Sequence, residues 1–448
     1  MSDRITLLAP DGTTSTEPLR APMSTSRPSG PLTERVVYAA AHVVPRTAAD
    51  NTPGAPADLD WDATLAFRHH LWSWGLGVAD AMDTAQRNMG LDPSATRELI
   101  ARSASEAQSV GGRLVVGVNT DDLPDEPVSE QQVVDAYVGQ LHHAEDVGAG
   151  VVLMASRHLA RLARTAADPA ATYRRVYASV LGRASAPVVL HWLGEAFDPA
   201  LAGYFGAVGS PRASARGGAQ ASARGGAEAS ARGGAEASAR GGAQAPADRR
   251  GADTVLEIMR DAGDRVSGIK MSLLDARAET DLRARLPEGV RMFTGDDHHY
   301  VDLIAGDGTH HSDALLGAFA ALGPVASAAV RALPDEAAFR ALLGPTEALS
   351  RHVFSAPVWH YKTGIAFLAW LNGHQSAFTM VGGLHAGRSL PHLSETVRLA
   401  NACGALEDPA LAARRWHDLL ALAGVSAPST AGRHGSALDA ARLAGVVA

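Results

Sequence analysis

Eight short apolar runs, set apart by helical lengths of chain, limit what this sequence can fold into. They fall at 35–44, 75–82, 112–120, 148–156, 186–194, 265–273, 289–295 and 301–310. Helix-like stretches lie between them, one opening near Asp92, one near 129–147 and one near 169–182. Runs this short and this rich in Val, Ile and Leu read as strands buried on both faces. Strands of that kind alternating with helices build a parallel sheet covered by helices. Two architectures satisfy the pattern, a closed barrel and an open doubly wound sheet. No G-x-G-x-x-G follows the first run, which weighs against a dinucleotide crevice.

The flanks differ in character. Residues 1–33 are rich in Ser, Thr, Pro and Gly and read as a flexible leader or a lid over one end of the domain. The alternating pattern occupies 34–322, interrupted at about 209–249 by an insertion that holds four tandem eight-residue units from 213 to 244. Each unit has paired glycines and no large apolar side chain, so ordering it would recover no burial energy and a disordered surface loop is expected. From 323 to 425 the pattern is wholly helical, and 426–448 read as a flexible tail.

Composition excludes several functions. The formal net charge of -8 offers no basic face, so no nucleic acid and no membrane surface is expected as a partner. Cys403 is the single cysteine, which rules out an intrachain disulfide and a thiolate-rich metal site. No 18-residue apolar stretch and no signal peptide is read, so a soluble, cytoplasmic chain is expected.

Lysine is the informative residue. Arginine outnumbers it 38 to 2, and the two lysines are Lys270 and Lys362. A surface cation can be either type, whereas an amine that must lose its proton and attack a carbonyl can only be lysine. Lys270 ends the apolar run "VSGIK", and in βα folds the strand ends are where reactive groups gather. Two readings stand side by side: an imine-forming nucleophile, or a lysine that closes a strand end with a salt bridge. Lys362, in "HYKTG", reads as a salt-bridge or helix-end group and as a reserve nucleophile.

Proton carriers and binding groups come from neighbouring strand ends. His191 in "VVLHW" and His158 in "LMASRHLA" have side chains that titrate near neutrality and suit acid–base work. Thr84, Arg87 and His42 are candidate substrate-binding groups, Arg87 through its planar fork. Asp296 and Asp297 in "GDDHHY" can hold substrate hydroxyls. With His298 and His299, Asp296 is also an alternative ligand set for a divalent metal ion.

The stretch "VSGIK", the "GDD" turn at 295–297 and the segment 353–373 together resemble the dihydrodipicolinate synthase and N-acetylneuraminate lyase family. In overall layout the chain is most similar to its uncharacterised DUF993-type branch. The resemblance implies a (β/α)8 TIM barrel with a helical C-terminal extension, an imine at Lys270, no cofactor, and a homo-oligomer, dimer or tetramer. It implies a class I aldolase-type lyase acting on a small carbonyl substrate, an oxo-acid or a keto-sugar. Departures limit the transfer: "DAMDTAQRNMG" stands where the family has "GTTGE", and Ser156, Arg157 and His158 stand where it has a proton-relay tyrosine. Pyruvate is therefore not carried over. Two alternatives remain, a metal-dependent sugar aldolase or isomerase and a non-catalytic sugar-acid binding barrel.

Overall fold

The computed structural model describes residues 4–207 and 246–425. The tandem units at 213–244 and the segment 426–448 lie outside them. Strands β1 (Arg4–Leu8) and β2 (Thr14–Pro18) form an antiparallel pair. Eight further strands close into a parallel barrel: β3 (Val37–Ala40), β4 (Gly77–Asp80), β5 (Leu114–Val118), β6 (Gly150–Leu153), β7 (Val188–Leu193), β8 (Val266–Ser272), β9 (Arg291–Thr294) and β10 (Asp313–Leu316), with β10 pairing back to β3. Closure removes the sheet edges that an open doubly wound fold would leave.

Side chains alternate across the barrel wall. Ala40, Ala79, Val115, Val152, Val189, Phe293 and Leu315 meet Met82 and Met154 in the interior, which is filled and not a channel. Val116, Leu153, Leu190, Ile269 and Met292 face outward and pack against the surrounding helices. One irregularity interrupts the alternation. Val188 pairs with Val266 but Val189 pairs with Gly268, so Ser267 is an extra residue in β8. Val266 faces the outer core; strict alternation would send 268 and 270 the same way. The bulge reverses the sense, and Gly268 and Lys270 turn inward.

Four barrel helices show why their starts are legible. Asp60, Asp92, Ser129 and Asp168 each accept a backbone N–H with the side chain, at Ala63, Ala95, Gln132 and Ala171. Pro93 and Pro169 occupy first-turn positions where no intrahelical donor is missed.

Two expectations need correction. The eighth apolar run, 301–310, is not a strand: Tyr300–Ala305 forms a short helix, and β10 follows at Asp313–Leu316. The leader is not loose over residues 4–18. Ile5 is fully buried, the Thr6 and Leu8 N–H groups donate to His417 Nε2 (3.1 Å) and Ser394 Oγ (2.7 Å), and Trp416 Nε1–H donates to the Thr6 carbonyl (2.7 Å). These partners belong to the C-terminal extension, whose helices are Gly323–Arg331, Glu336–Leu343, Thr346–Val353, Tyr361–Leu371, Leu390–Cys403 and Pro409–Leu422. A second apolar core joins that extension to β3, β10 and the helix Trp61–Ser73 through Phe67, Leu71, Phe319, Ile365 and Trp416.

Candidate active site

Lys270 is the fifth residue of β8, level with His191 on β7 and Phe293 on β9. It is only 8% exposed. Gly295 makes room for it, since a Cβ there would lie 2.8 Å from Lys270 Cε and 2.2 Å from Ser272 Oγ. Burial lowers the amine pKa below the ordinary lysine value, against the opposing pull of the Asp83 and Asp297 carboxylates. His191 is fully buried, with Nε2 3.2 Å from Ser272 Oγ and Nδ1 without a hydrogen-bond partner among the described residues. Burial and the nearby Lys270 charge hold its pKa well below the usual value, so the imidazole is neutral at pH 7.

The two acids of the "GDD" turn diverge. Asp297 Oδ1 accepts the Ala318 N–H at 2.9 Å, and burial raises its carboxyl to about 7 against that hydrogen bond and the Lys270 charge. Asp296 turns the other way. Its two oxygens meet the His298 N–H (2.8 Å) and His299 Nδ1 (2.9 Å), so it closes the turn. Of the two acids, Asp297 is the one whose charge acts on Lys270.

The loop after β4 supplies the opposite wall. Asp80 is buried in a two-pronged pair with Arg68 (2.8 and 2.9 Å) and also accepts from Ser103 Oγ and the Ala81 N–H. Beyond it Ala81, Gln86 and Asn88 take left-handed backbone conformations, with φ of 49°, 67° and 59°. Such residues cost on the order of 1–3 kcal/mol each and persist only where the surroundings hold them. Here Gln86 Nε2 donates to the Val381 carbonyl at 2.7 Å. The loop so held carries Asp83, whose charge acts on Lys270, and Thr84, whose Oγ1 lies 2.8 Å from Tyr361 Oη.

Tyr361 opens the helix Tyr361–Leu371 at the barrel mouth, stacked on Phe354 with ring centroids 4.3 Å apart and edge-on to Phe197 at 6.0 Å. Lys362 follows it, buried, with Nζ donating to the Trp359 carbonyl at 3.3 Å and lying 4.7 Å from the Tyr361 ring centroid. Burial pulls its pKa down to about 8, opposed by the charge of Asp83. Both lysines of the chain thus share Asp83 as a counter-charge, and neither is a surface group. Sequence reasoning missed Ser272 and Tyr361. The rarity of lysine was the signal available for Lys362.

Other expected residues stand elsewhere. Arg87 is a structural clamp and not a substrate grip: Nε and Nη2 pair with Asp121, Nη2 also reaches Gln140, and Nη1 donates to the Ala81 and Gly117 carbonyls. All five of its N–H groups are thereby used. His158 has both nitrogens engaged, Nδ1 with Thr120 Oγ1 and Nε2 with the Pro124 carbonyl, each at 3.0 Å, so the imidazole is not presented to Lys270. His42 joins Gln375 through Nε2 at 3.0 Å and packs edge-on to Phe67, and burial lowers its pKa to about 3. The His298 and His299 rings are 6.0 Å apart at 80°, and only His299 reaches Asp296 with its ring, so the proposed metal set does not converge. An open cleft on the outer flank, beside Arg164, Tyr173 and Asp253, includes none of the residues around Lys270.

Solved structures share the fold. Dihydrodipicolinate synthase from Aquifex aeolicus aligns with a TM-score of 0.53 at 11% identity, over 87% of this chain and 98% of that one. The 4-hydroxy-tetrahydrodipicolinate synthase from Methylacidiphilum fumariolicum SolV gives 0.53 at 14% identity, over 84% and 99%. A prophage protein of the dihydrodipicolinic acid synthase family from E. coli K12, in complex with pyruvate, gives 0.53 at 12% identity, over 88% and 99%. No curated protein matches the chain. The family model described as "Protein of unknown function (DUF993)" covers residues 5–217 and 242–425, and the chain belongs to that family.

Proposed function

We propose that the protein is a lyase of the class I aldolase type, in which Lys270 condenses with a small oxo-acid or keto-sugar. The observation that carries this reading is the buried amine itself, turned into the barrel mouth with its pKa lowered by desolvation. A neutral fraction of that amine is the nucleophile the chemistry requires. The Nζ lone pair adds to the substrate carbonyl carbon and the carbonyl oxygen leaves as water, giving an iminium. Cleavage of the Cα–Cβ bond then sends its electron pair to the iminium as an enamine, while a base takes the β-hydroxyl proton.

His191, neutral and hydrogen-bonded to Ser272, is one proton carrier in this reading. Asp297, with its carboxyl raised to about 7, is the second and exchanges a proton near neutrality. The Asp83 charge opposes the desolvation of the Lys270 amine without overcoming it, and Lys362 offers a second cation for the acid group of an oxo-acid. The structural neighbours include a pyruvate complex, which makes 2-oxo acids the first compounds to try.

The test is borohydride reduction in the presence of a panel of 2-oxo acids and keto-sugars, with the adduct located by peptide mass spectrometry. An adduct on Lys270 is expected, and Lys270→Ala should abolish it while the circular dichroism spectrum is kept. His191→Ala should slow turnover of the trapped substrate by roughly 10²-fold. Adducts confined to Lys362, or turnover surviving in the Lys270 variant, would end the reading.

A further inference from the structure

A second cluster of chemistry-bearing side chains lies away from the barrel mouth and plays no part in the reading above. His70 lies in the last turn of the helix Trp61–Ser73, His374 follows the helix Tyr361–Leu371, and Glu407 sits between Leu390–Cys403 and Pro409–Leu422. Three separate parts of the chain therefore meet at one point. His374 Nε2 is 2.9 Å and His70 Nε2 3.4 Å from the same oxygen, Glu407 Oε1. The three donor atoms all lie within 4.8 Å of one another, and the imidazole centroids are 4.2 Å apart.

The two separations from Glu407, 2.9 and 3.4 Å, suit a metal. Bonds of about 2.0–2.2 Å from imidazole nitrogen and carboxylate oxygen to a tetrahedral ion place donors roughly 3.0–3.5 Å apart. Two imidazoles and one carboxylate are also a donor set that zinc and its neighbours accept, leaving a fourth position for water. The side chains are partly exposed, at 12%, 17% and 29% for His70, His374 and Glu407, so an ion has a way in. The scaffold around them is firm: the Glu407 N–H donates to Asn372 Oδ1 at 3.0 Å, and Phe67 packs edge-on to His374 at 5.3 Å.

We propose that His70, His374 and Glu407 form a binding site for a divalent transition-metal ion of the zinc class, which pins the first barrel helix to the C-terminal extension. The site is independent of imine chemistry at Lys270, and its role is to lock two parts of the fold together. Without the ion, two imidazoles must both donate to one oxygen; with it, a single charge satisfies all three groups.

The full chain, stripped with chelator, is titrated with Co2+ and the visible absorption of the bound ion is followed, then Zn2+ is added in competition. Saturation at one equivalent, displacement by Zn2+ and a rise in melting temperature on Zn2+ addition are expected. His374→Ala should weaken binding by more than the ~10–100-fold typical of outer-sphere changes. Glu407→Gln keeps the shape and a hydrogen-bonding oxygen, so it separates a ligand from a structural partner; it too should weaken binding. His299→Ala should leave the titration unchanged. Absence of binding to the wild-type chain, unchanged binding in both His374→Ala and Glu407→Gln, or loss of binding in His299→Ala would each overturn the proposal.

Discussion

Lys270 faces the barrel interior because Ser267 is one residue more than the ladder needs. Although β8 continues two residues past Lys270 to Ser272, the lysine's place in an apolar, strand-like run was legible in the sequence. Its inward aim was not, because a bulge is visible only in the pairing of two strands. Tyr361, and the sharing of Asp83 by Lys270 and Lys362, escaped for a related reason: these residues lie far from one another in sequence, and only closure of the barrel and docking of the extension bring them together. Gly295 permits a test that leaves the lysine in place. A methyl group there would press on Lys270 Cε and Ser272 Oγ. Gly295→Ala should therefore lower the rate of borohydride trapping at Lys270 by at least about tenfold, a loss of roughly 1.4 kcal/mol of transition-state stabilisation. Trapping at the wild-type rate, measured by intact mass, would show that the amine does not need that space.

Elements were read more securely than side-chain directions. Seven of the expected apolar runs contain barrel strands, because a strand buried on both faces leaves a run that little else produces. The eighth failed because "YVDLIA" is as apolar as a strand yet forms a short helix, while the true strand "DALL" is four residues long and begins with an acid. That acid, Asp313, accepts the Val36 N–H at 2.7 Å and so ties β10 to the start of β3. Behind β10 lies a buried carboxyl with a pH signature. Glu279, on the helix Ala276–Arg283, accepts from Ser312 Oγ at 2.7 Å, and burial raises its pKa from 4.5 to about 8. A raised folded-state pKa gives stability that is complete below 4.5 and is lost as pH rises through about 8. Across that window the loss approaches about 1.4 kcal/mol per pH unit. Glu279→Gln should remove this slope, so denaturant melts at pH 6 and pH 8.5 should differ less for the variant than for the wild type.

At the scale of the molecule, the barrel and the extension are held as one body by chain that sequence reasoning left loose. The segment 1–33 looked mobile because Ser, Thr, Pro and Gly dominate it, yet "RITLL" within it is a strand whose Ile5 is fully buried beside Trp416. Ile5→Ala should lower unfolding stability by about 2–5 kcal/mol, as expected for a truncation in a packed core. A cost under about 0.5 kcal/mol in urea melts would mean that the hairpin is dispensable. The extension also brings the helix Tyr361–Leu371 to the barrel mouth, and with it the second of the two lysines. Both primary-amine side chains are therefore hidden, and the positive charge shown to solvent comes from guanidinium and imidazole groups. An amine-directed acylating reagent offered to the native protein should therefore reach either lysine slowly unless that helix lifts. The speed with which either lysine is acylated then becomes a clock for the opening of the barrel.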